Sequence, residues 1–425
     1  MKRTLVRNAT IIDGNGGPPH ENAALLIEGK RIVQIGDEDA TVVAGGEARV
    51  IDAQGGYLLP GFIDCHVHVT LENLTIERVL STPLSFTLFQ SIDHMRRTLE
   101  AGVTSVRDAG GADLGLKQAV EEGLVAGPRM QISITILSIT GGHLDYLMPS
   151  GNEYTLFAAY PGRPAGICDG VEEVRKKVRE LLRAGAEVIK VCTTGGTMSP
   201  RDHPTFTQFS PAELSVMVEE AAFHGGKKVM AHAQGCEGIK NAVRAGAHSI
   251  EHGVYLDDEA IELMLEHDTF LVPTLSAPVF VLELCAESDA YPEWGVRKVR
   301  EVLDVNLESI AKAYQAGVRI AMGTDACVGP HGANLRELSL MCQIGMSPME
   351  SIVASTKTAA ECLGWEDQVG TLEPGKLADL VVTKVDPLAD IDSLTDNDNI
   401  QVVIKDGVVI KDLRPAKVRE LEPVE

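Results

Sequence analysis

The eight cysteines, at positions 65, 168, 192, 236, 285, 327, 342 and 362, contain no C-x-x-C pair. Neither a disulfide framework nor a cysteine-built zinc site is expected from them. Cys192, Cys236 and Cys327 read as small apolar packing residues. Long apolar runs are missing too: no stretch approaches the roughly 18 residues that a membrane helix needs. No apolar segment of the signal-peptide kind follows Met1-Lys2-Arg3-Thr4-Leu5-Val6-Arg7-Asn8. A cytoplasmic protein without a membrane partner is the expectation. Basic charge is scarce: 38 Lys and Arg stand against 61 Asp and Glu, a formal net charge of -23. Such a surface repels polyanions, so nucleic acid is not an expected partner.

Apolar content is plentiful. With 425 residues, 44% of them hydrophobic, the chain can bury a barrel-sized core and a smaller one besides. Both ends read as β-rich. Ala23–Ile27 and Ile32–Ile35 are split by Glu28-Gly29-Lys30; Leu377–Val382 is followed by Val402–Lys405 and Val408–Ile410, with Asp406-Gly407 between the last two. Asp-Gly between apolar strands is a strong hairpin signal. Residues 1–56 and 369–425 are therefore expected to meet as one small β domain, a β-sandwich, flanking a long middle segment.

From 57 to 368, apolar strands alternate with helical patterns. Eight strand candidates are Phe62–Val69, Thr104–Arg107, Met130–Ile136, Val188–Cys192, Lys228–Ala231, Ser249–Glu251, Phe270–Thr274 and Arg319–Gly323. Helical patterns such as Val171–Ala184, Pro211–His224 and Asp304–Ala316 lie between them, and Ser210-Pro211-Ala212-Glu213 supplies an N-cap, a proline at N1 and an acid at N3. Unalternated apolar strands separated by helices imply a parallel sheet covered by helices. Eight such units predict an α/β fold of the (β/α)8 TIM barrel type.

In such a barrel the active site lies at the C-terminal ends of the strands. Candidate metal ligands stand at five of those ends. His66 and His68 close the first strand, and a spacing of two turns both imidazoles to one face. Lys190, His232, His252 and Asp325 end the fourth, fifth, sixth and eighth. Each has an ordinary alternative when taken alone: a hydrogen-bonded core histidine, a snorkelling lysine, a helix-capping aspartate. Their convergence on one rim favours a metal site. Lys190 needs its own account, because a protonated ammonium has no lone pair. Burial and nearby positive charge lower a lysine pKa. The neutral amine can add carbon dioxide, giving an anionic carbamate with two oxygens, enough to bridge two metals.

These motifs resemble the amidohydrolase superfamily, and within it the branch of prolidase-like dipeptidases, arginine/lysine carboxypeptidases and imidazolonepropionase-related enzymes. The resemblance runs over nearly the whole chain. It rests on Leu59-Pro60-Gly61-Phe62-Ile63-Asp64-Cys65-His66-Val67-His68, Ile139-Thr140-Gly141-Gly142-His143, Ser249-Ile250-Glu251-His252-Gly253, Gly323-Thr324-Asp325 and the return segment from Gly370 to Leu380.

The resemblance implies that His66, His68 and Asp325 hold one metal, that His232 and His252 hold a second, and that N6-carboxylated Lys190 bridges them. Zinc is the expected ion. It implies a dipeptidase or carboxypeptidase that cleaves the amide bond to a C-terminal residue, of Xaa-Pro or N-acyl amino acid type, with Asp325 as general base and acid. His143, in a glycine-bearing loop beyond the third strand, is the candidate to bond the carbonyl oxygen or the substrate carboxylate. Gln234 stands where some prolidase-like relatives carry a tyrosine, a departure that bears on proline specificity. Arg201, His203 and His331 are expected to form a cationic rim for a carboxylate, with Asn334 nearby. A cyclic-amide hydrolase or deaminase of the imidazolonepropionase type would share the same metal core. An inactive scaffold would have no need to keep Lys190 and Asp325 together. Homo-oligomerisation is a further implication of the resemblance.

Overall fold

Turn chemistry sets the ends of the chain. Gly29, at φ +61°, turns His20–Glu28 back onto Arg31–Asp37. Asp406 and Gly407, at φ +49° and +71°, join Ile400–Lys405 to Val408–Asp412. Two successive positive φ values match the right-handed twist of a hairpin, and Asp-Gly reaches them with little strain.

The computed structural model describes residues 3–37, 48–72, 75–148, 150–287 and 291–415. The chain divides into two compact units, one of residues 1–64, 95–105 and 332–425, the other of residues 65–94 and 106–331. In the first unit, among the described residues, both chain ends contribute to one eight-stranded mixed sheet. Its order runs from Val408–Asp412 through Ile400–Lys405, Leu380–Thr383, Tyr57–Pro60, Arg3–Ile11 and His20–Glu28 to Arg31–Asp37, and Ala48–Asp52 lies parallel to Arg3–Ile11. Val6, Leu25, Ile51, Leu58, Leu380 and Val402 share its core.

The second unit holds a parallel sheet in the order Phe270–Val272, Ser249–His252, Lys228–Ala233, Val188–Cys192, Ile136–Leu137. Phe62–Val67, Val103–Asp108 and Arg129–Ile132 form a three-stranded sheet. Every residue of Phe62–Val67 and of Val188–Cys192 is buried, as expected of strands covered on both faces. Helices run between the strands. Val171–Arg183 matches its sequence pattern, and Pro211–Phe223 starts on the expected capping box of Ser210 and Glu213. Among the described residues, no helix is long and apolar enough to cross a membrane.

Three elements differ from the sequence reading. The third strand candidate is interrupted at Ile134, whose φ of +70° breaks it into Arg129–Ile132 and Ile136–Leu137; the two pieces join different sheets. Arg319–Gly323 forms a single parallel bridge, Ile320 to Leu271, instead of a ladder. Its backbone bonds go alternately to two neighbours: Ala321 N donates to Leu271 O at 3.0 Å, and Met322 O accepts from Cys65 N at 2.8 Å. The helix expected from Asp304 begins at Glu293, where Pro292 supplies an extended residue in front of the first turn.

Candidate metal centre

Parallel register brings the strand-end side chains to one level. Lys190 pairs with Met230, Cys192 with His232, and Ala233 with His252. His66, His68 and Asp325 offer ligand atoms within 4.8 Å of one another. Asp325 Oδ1 is 3.3 Å from His68 Nε2 and 3.6 Å from His66 Nε2. Lys190 Nζ lies 3.3 Å from His66 Nε2. The His252 ring centroid is 5.1 Å from that of His66 and 4.6 Å from that of His232. All six side chains line one cavity.

The hydrogen bonds decide which nitrogens keep lone pairs. His66 Nδ1 is 2.7 Å from Glu251 Oε2, His68 Nδ1 is 2.9 Å from the Gly110 carbonyl, and His232 Nε2 is 3.1 Å from the Gly195 carbonyl. Ionised carboxylate and carbonyl oxygens only accept, so these three nitrogens carry hydrogen and donate. His252 Nδ1 is engaged by Thr274 Oγ1 at 2.7 Å. The opposite nitrogen of each ring is left as a donor to a cation, the arrangement that metal-binding imidazoles use. With the carboxylate of Asp325, this donor set fits a divalent metal. Backbone strain gathers here as well: His252, Thr274 and Asp325 hold φ at +72°, +50° and +56°. A β-branched threonine at positive φ is a genuine outlier, and such strain persists where the surroundings over-determine it.

Burial lowers the His66, His232 and His252 imidazoles well below their ordinary value, and neighbouring imidazoles and Lys190 lower them further. Burial also lowers Lys190, which brings its neutral, nucleophilic amine within reach. At Asp325 burial alone would raise the carboxyl. The hydrogen bond to His68 and the positive fields of His66, His68 and Lys190 outweigh it and hold Asp325 below the usual carboxylate range. His68 moves the other way: burial would lower it, but Asp325 raises it on balance.

Three charged residues behind the ligands were not singled out from the sequence. Glu251 is fully buried and accepts from Arg107 Nη2 at 2.8 Å and Ser249 Oγ at 2.5 Å, beside its bond to His66. Arg107, 1% exposed, also donates from Nε to the Cys65 carbonyl at 2.7 Å. Asp108 accepts from the backbone of Val69, Gly110 and Ala112 and so holds the loop whose Gly110 carbonyl receives His68. The available signal was a charge closing a strand candidate: Arg107 at the end of Thr104–Arg107, followed by Asp108, and Glu251 at the end of Ser249–Glu251.

The cavity has a volume of about 110 Å³ and is partly open to solvent. Its walls are mostly apolar, with Leu71, Ile136, Leu144, Phe157, Val254 and Val281 among them. The helix Glu293–Ala316 contributes Val299, Val302 and Asn306, spaced to share one face. His143 lines the cavity and stacks on His232 with centroids 4.3 Å apart. Gln234 lines it too. Among the described residues, Gln234 Oε1 and Asn306 Oδ1 are buried without a hydrogen-bond partner. Cys192 and Cys327 are wall residues, and burial pushes the Cys192 thiol up to about 12; Cys236 is half-buried and lies off the cavity wall.

The residues of the expected cationic rim lie away from the cavity wall. Arg201 is exposed, and neither it nor His203 nor His331 lines the cavity. In the loop after the fourth strand, Ser199 and Asp202 are the residues turned inward, which leaves Arg201 facing out. His203 Nδ1 is engaged by Thr205 Oγ1 at 2.9 Å, and its Nε2 is 3.8 Å from Glu301. His331 is buried, donates from Nε2 to the Leu71 carbonyl at 2.8 Å, and stacks on His94. Asn334 Nδ2 donates to Asp64 at 2.8 Å.

A strand-end cluster of histidines with a lysine and an aspartate, set in a parallel α/β unit, defines a metal-dependent hydrolase. The amidohydrolase family matches residues 57–410, and the chain belongs to it. It is therefore an enzyme of carbon–nitrogen bond hydrolysis. Among individual relatives, it is 35% identical to the ochratoxinase of Aspergillus niger over 423 residues, 96% of this chain and 87% of that protein. A crystal structure of a Xaa-Pro dipeptidase with methionine bound in its active site superposes with a TM-score of 0.87 at 34% identity, covering 96% of this chain and 99% of the other. A prolidase complexed with N-methylphosphonate-L-proline superposes with a TM-score of 0.88 at 36% identity, covering 97% and 100%.

Proposed function

We propose that the enzyme carries two divalent metal ions and cleaves the amide bond joining an acyl or aminoacyl group to a C-terminal residue. The observation that carries this reading is the meeting of His66, His68, Lys190, His232, His252 and Asp325 on one cavity, with Lys190 Nζ 3.3 Å from His66 Nε2. Further support is that one similar solved structure is a prolidase bound to a proline phosphonate and another is a Xaa-Pro dipeptidase. His66, His68 and Asp325 would hold one metal, His232 and His252 the other, and Lys190, as N6-carboxylysine, both. Zinc suits imidazole and carboxylate donors. In the same reading residues 57–368 close as a (β/α)8 barrel, with 1–56 and 369–425 as the small β domain. The bonds from Cys65 N to Met322 O and from Glu187 N to Ile132 O, which link strand edges within one unit, support the closure.

When bound, the metals supply Lewis acidity and make water acidic enough to ionise near neutral pH. Asp325 takes the proton of the attacking water and delivers it to the leaving nitrogen, without which an amide nitrogen leaves poorly. His143, in its protonated form, donates from Nε2 to the substrate carbonyl or carboxylate oxygen, and the Gln234 amide donates beside it. With Arg201, His203 and His331 off the cavity wall, these two groups carry the recognition of the carboxylate. The apolar walls exclude water and hold the side chain.

A library of dipeptides and N-acyl amino acids, offered to the zinc-loaded enzyme with the matching C-terminal amides and methyl esters, tests the reading. Blocking the carboxylate should lower kcat/KM by at least about tenfold, because one charge-assisted hydrogen bond contributes roughly 1.5–3 kcal/mol. Equal turnover of free and blocked substrates would reject carboxylate recognition and favour a cyclic amide.

A further inference from the structure

The loop after the Val188–Cys192 strand carries a buried polar cluster that the reaction above leaves unused. Ser199 and Asp202 are 2% and 8% exposed. The Ser199 hydroxyl donates to Asp202 Oδ1, and its oxygen is 2.9 Å from His143 Nδ1. Asp202 Oδ2 is 3.4 Å from the same nitrogen. Because the serine hydrogen is committed to the carboxylate, the serine oxygen accepts, and His143 Nδ1 is the donor.

Lys298, reaching in from the helix Glu293–Ala316, braces this arrangement. Its ammonium donates to the carbonyls of Gly196, Ser199 and Asp202 at 3.1, 2.7 and 2.5 Å and lies 3.6 Å from Asp202 Oδ1. One cation thereby pins three carbonyls of a single loop. Gly196 completes the seat, since a Cβ there would fall on the His143 ring. Gln208 Oε1 accepts from the His143 backbone N–H at 3.2 Å. Burial alone would raise the Asp202 carboxyl; its bonds to His143 and Ser199 and the charge of Lys298 hold it below the usual range. A buried ion pair is a poor device for stability alone. Here its carboxylate is aimed at a ring that lines the catalytic cavity.

We propose that Asp202 is a positioning residue for His143: with Ser199 it turns Nδ1 into the loop, so that Nε2 is the atom presented to the substrate. The proposal rests on His143 being a substrate contact. It assigns Lys298 to the same task one step back, as the brace that keeps the Asp202 carboxylate in place.

The test is a double-mutant cycle with a tautomer measurement. Asp202→Asn should lower kcat about 10–100-fold with little change in KM, the usual scale for losing a partner that orients a functional imidazole. His143→Gln should lower kcat at least as much. In the His143→Gln background, Asp202→Asn should remove less than about twofold more, because both changes act through one ring. Ser199→Ala, which leaves the ion pair intact, should give a smaller loss of the same kind, and it serves if Asp202→Asn does not fold. Independently of turnover, 15N NMR of histidine-labelled enzyme, assigned by the signals lost in His143→Gln, should show His143 protonated at Nδ1 in the wild type. Additive losses, an inert His143→Gln, or a ring protonated only at Nε2 would overturn the proposal. If Nδ1 is protonated but no amide is turned over, the proposed reaction fails and the positioning stands.

Discussion

Glu251→Gln tests the wiring behind the metal centre. The carboxylate receives three donors: His66 Nδ1 at 2.7 Å on one oxygen, Arg107 Nη2 at 2.8 Å and Ser249 Oγ at 2.5 Å on the other. Glutamine keeps the shape but has only one accepting oxygen. If that oxygen faces Arg107 and Ser249, the amide hydrogens meet the hydrogen on His66 Nδ1. The conflict is relieved when the His66 hydrogen moves to Nε2, which removes the lone pair 3.6 Å from Asp325 and 3.3 Å from Lys190. If the amide is turned over, its hydrogens meet Arg107 instead. Outer partners of this kind typically contribute 10–100-fold to metal affinity, or about 1.4–2.8 kcal/mol. Removing one charge of a buried ion pair destabilises a fold by about 3–5 kcal/mol. Competition against a chelator should therefore show metal affinity reduced by about 10–100-fold. Urea unfolding of metal-free protein should show the larger loss. Affinity within about threefold of wild type, with a stability loss of any size, would refute the idea that Glu251 sets the His66 tautomer.

Lys190→Ala should lose metal and activity together and regain part of both with short carboxylic acids; 13CO2 labelling of the native enzyme should give a carbamate carbon signal that the variant lacks. Asp325→Asn should lower kcat by about 10²–10⁴-fold while elemental analysis finds most of the metal retained; proportional loss of metal and activity would make Asp325 a ligand only. In metal-free protein, His66, His232 and His252 titrate below the unfolded value of about 6.5. The unfolded chain therefore takes up their protons first, and stability should fall as pH drops below about 6.5. His68, raised by Asp325, works in the opposite sense: its contribution is full below the unfolded value and is lost as pH rises through its folded value. Three groups against one predict a lower melting temperature at about pH 5 than at about pH 7, and an equal or higher one would contradict the balance.

What the sequence shows of this molecule is whatever depends on local pattern. Val188–Cys192 is legible as a buried strand because, Lys190 apart, it is apolar without alternation. Asp406-Gly407 is legible as a turn, and Ser210 as a cap, because the side chains suit those backbones directly. The strand-end places of His66, His232 and His252 foreshadow their meeting at one cavity. Partnerships made across long separations are not legible. Nothing near Arg107 announces Glu251, and nothing near Asp202 announces Lys298. Loop facing is equally hidden: His331 is drawn to the Leu71 carbonyl and Arg201 is left outside by contacts that no periodicity encodes. The break at Ile134 and the single bridge at Ile320 are likewise tertiary outcomes, decided by what each segment can pair with.

The cavity wall supplied by Val299, Val302 and Asn306 lies on a helix that carries none of the candidate ligands. Part of the cavity wall is therefore written on a stretch of chain separate from the strand ends, while His143 and Gln234 stand beside the candidate ligand His232. A change of volume or polarity on that one stripe should alter which side chains the cavity accepts, while the strands that would grip the metals keep their register.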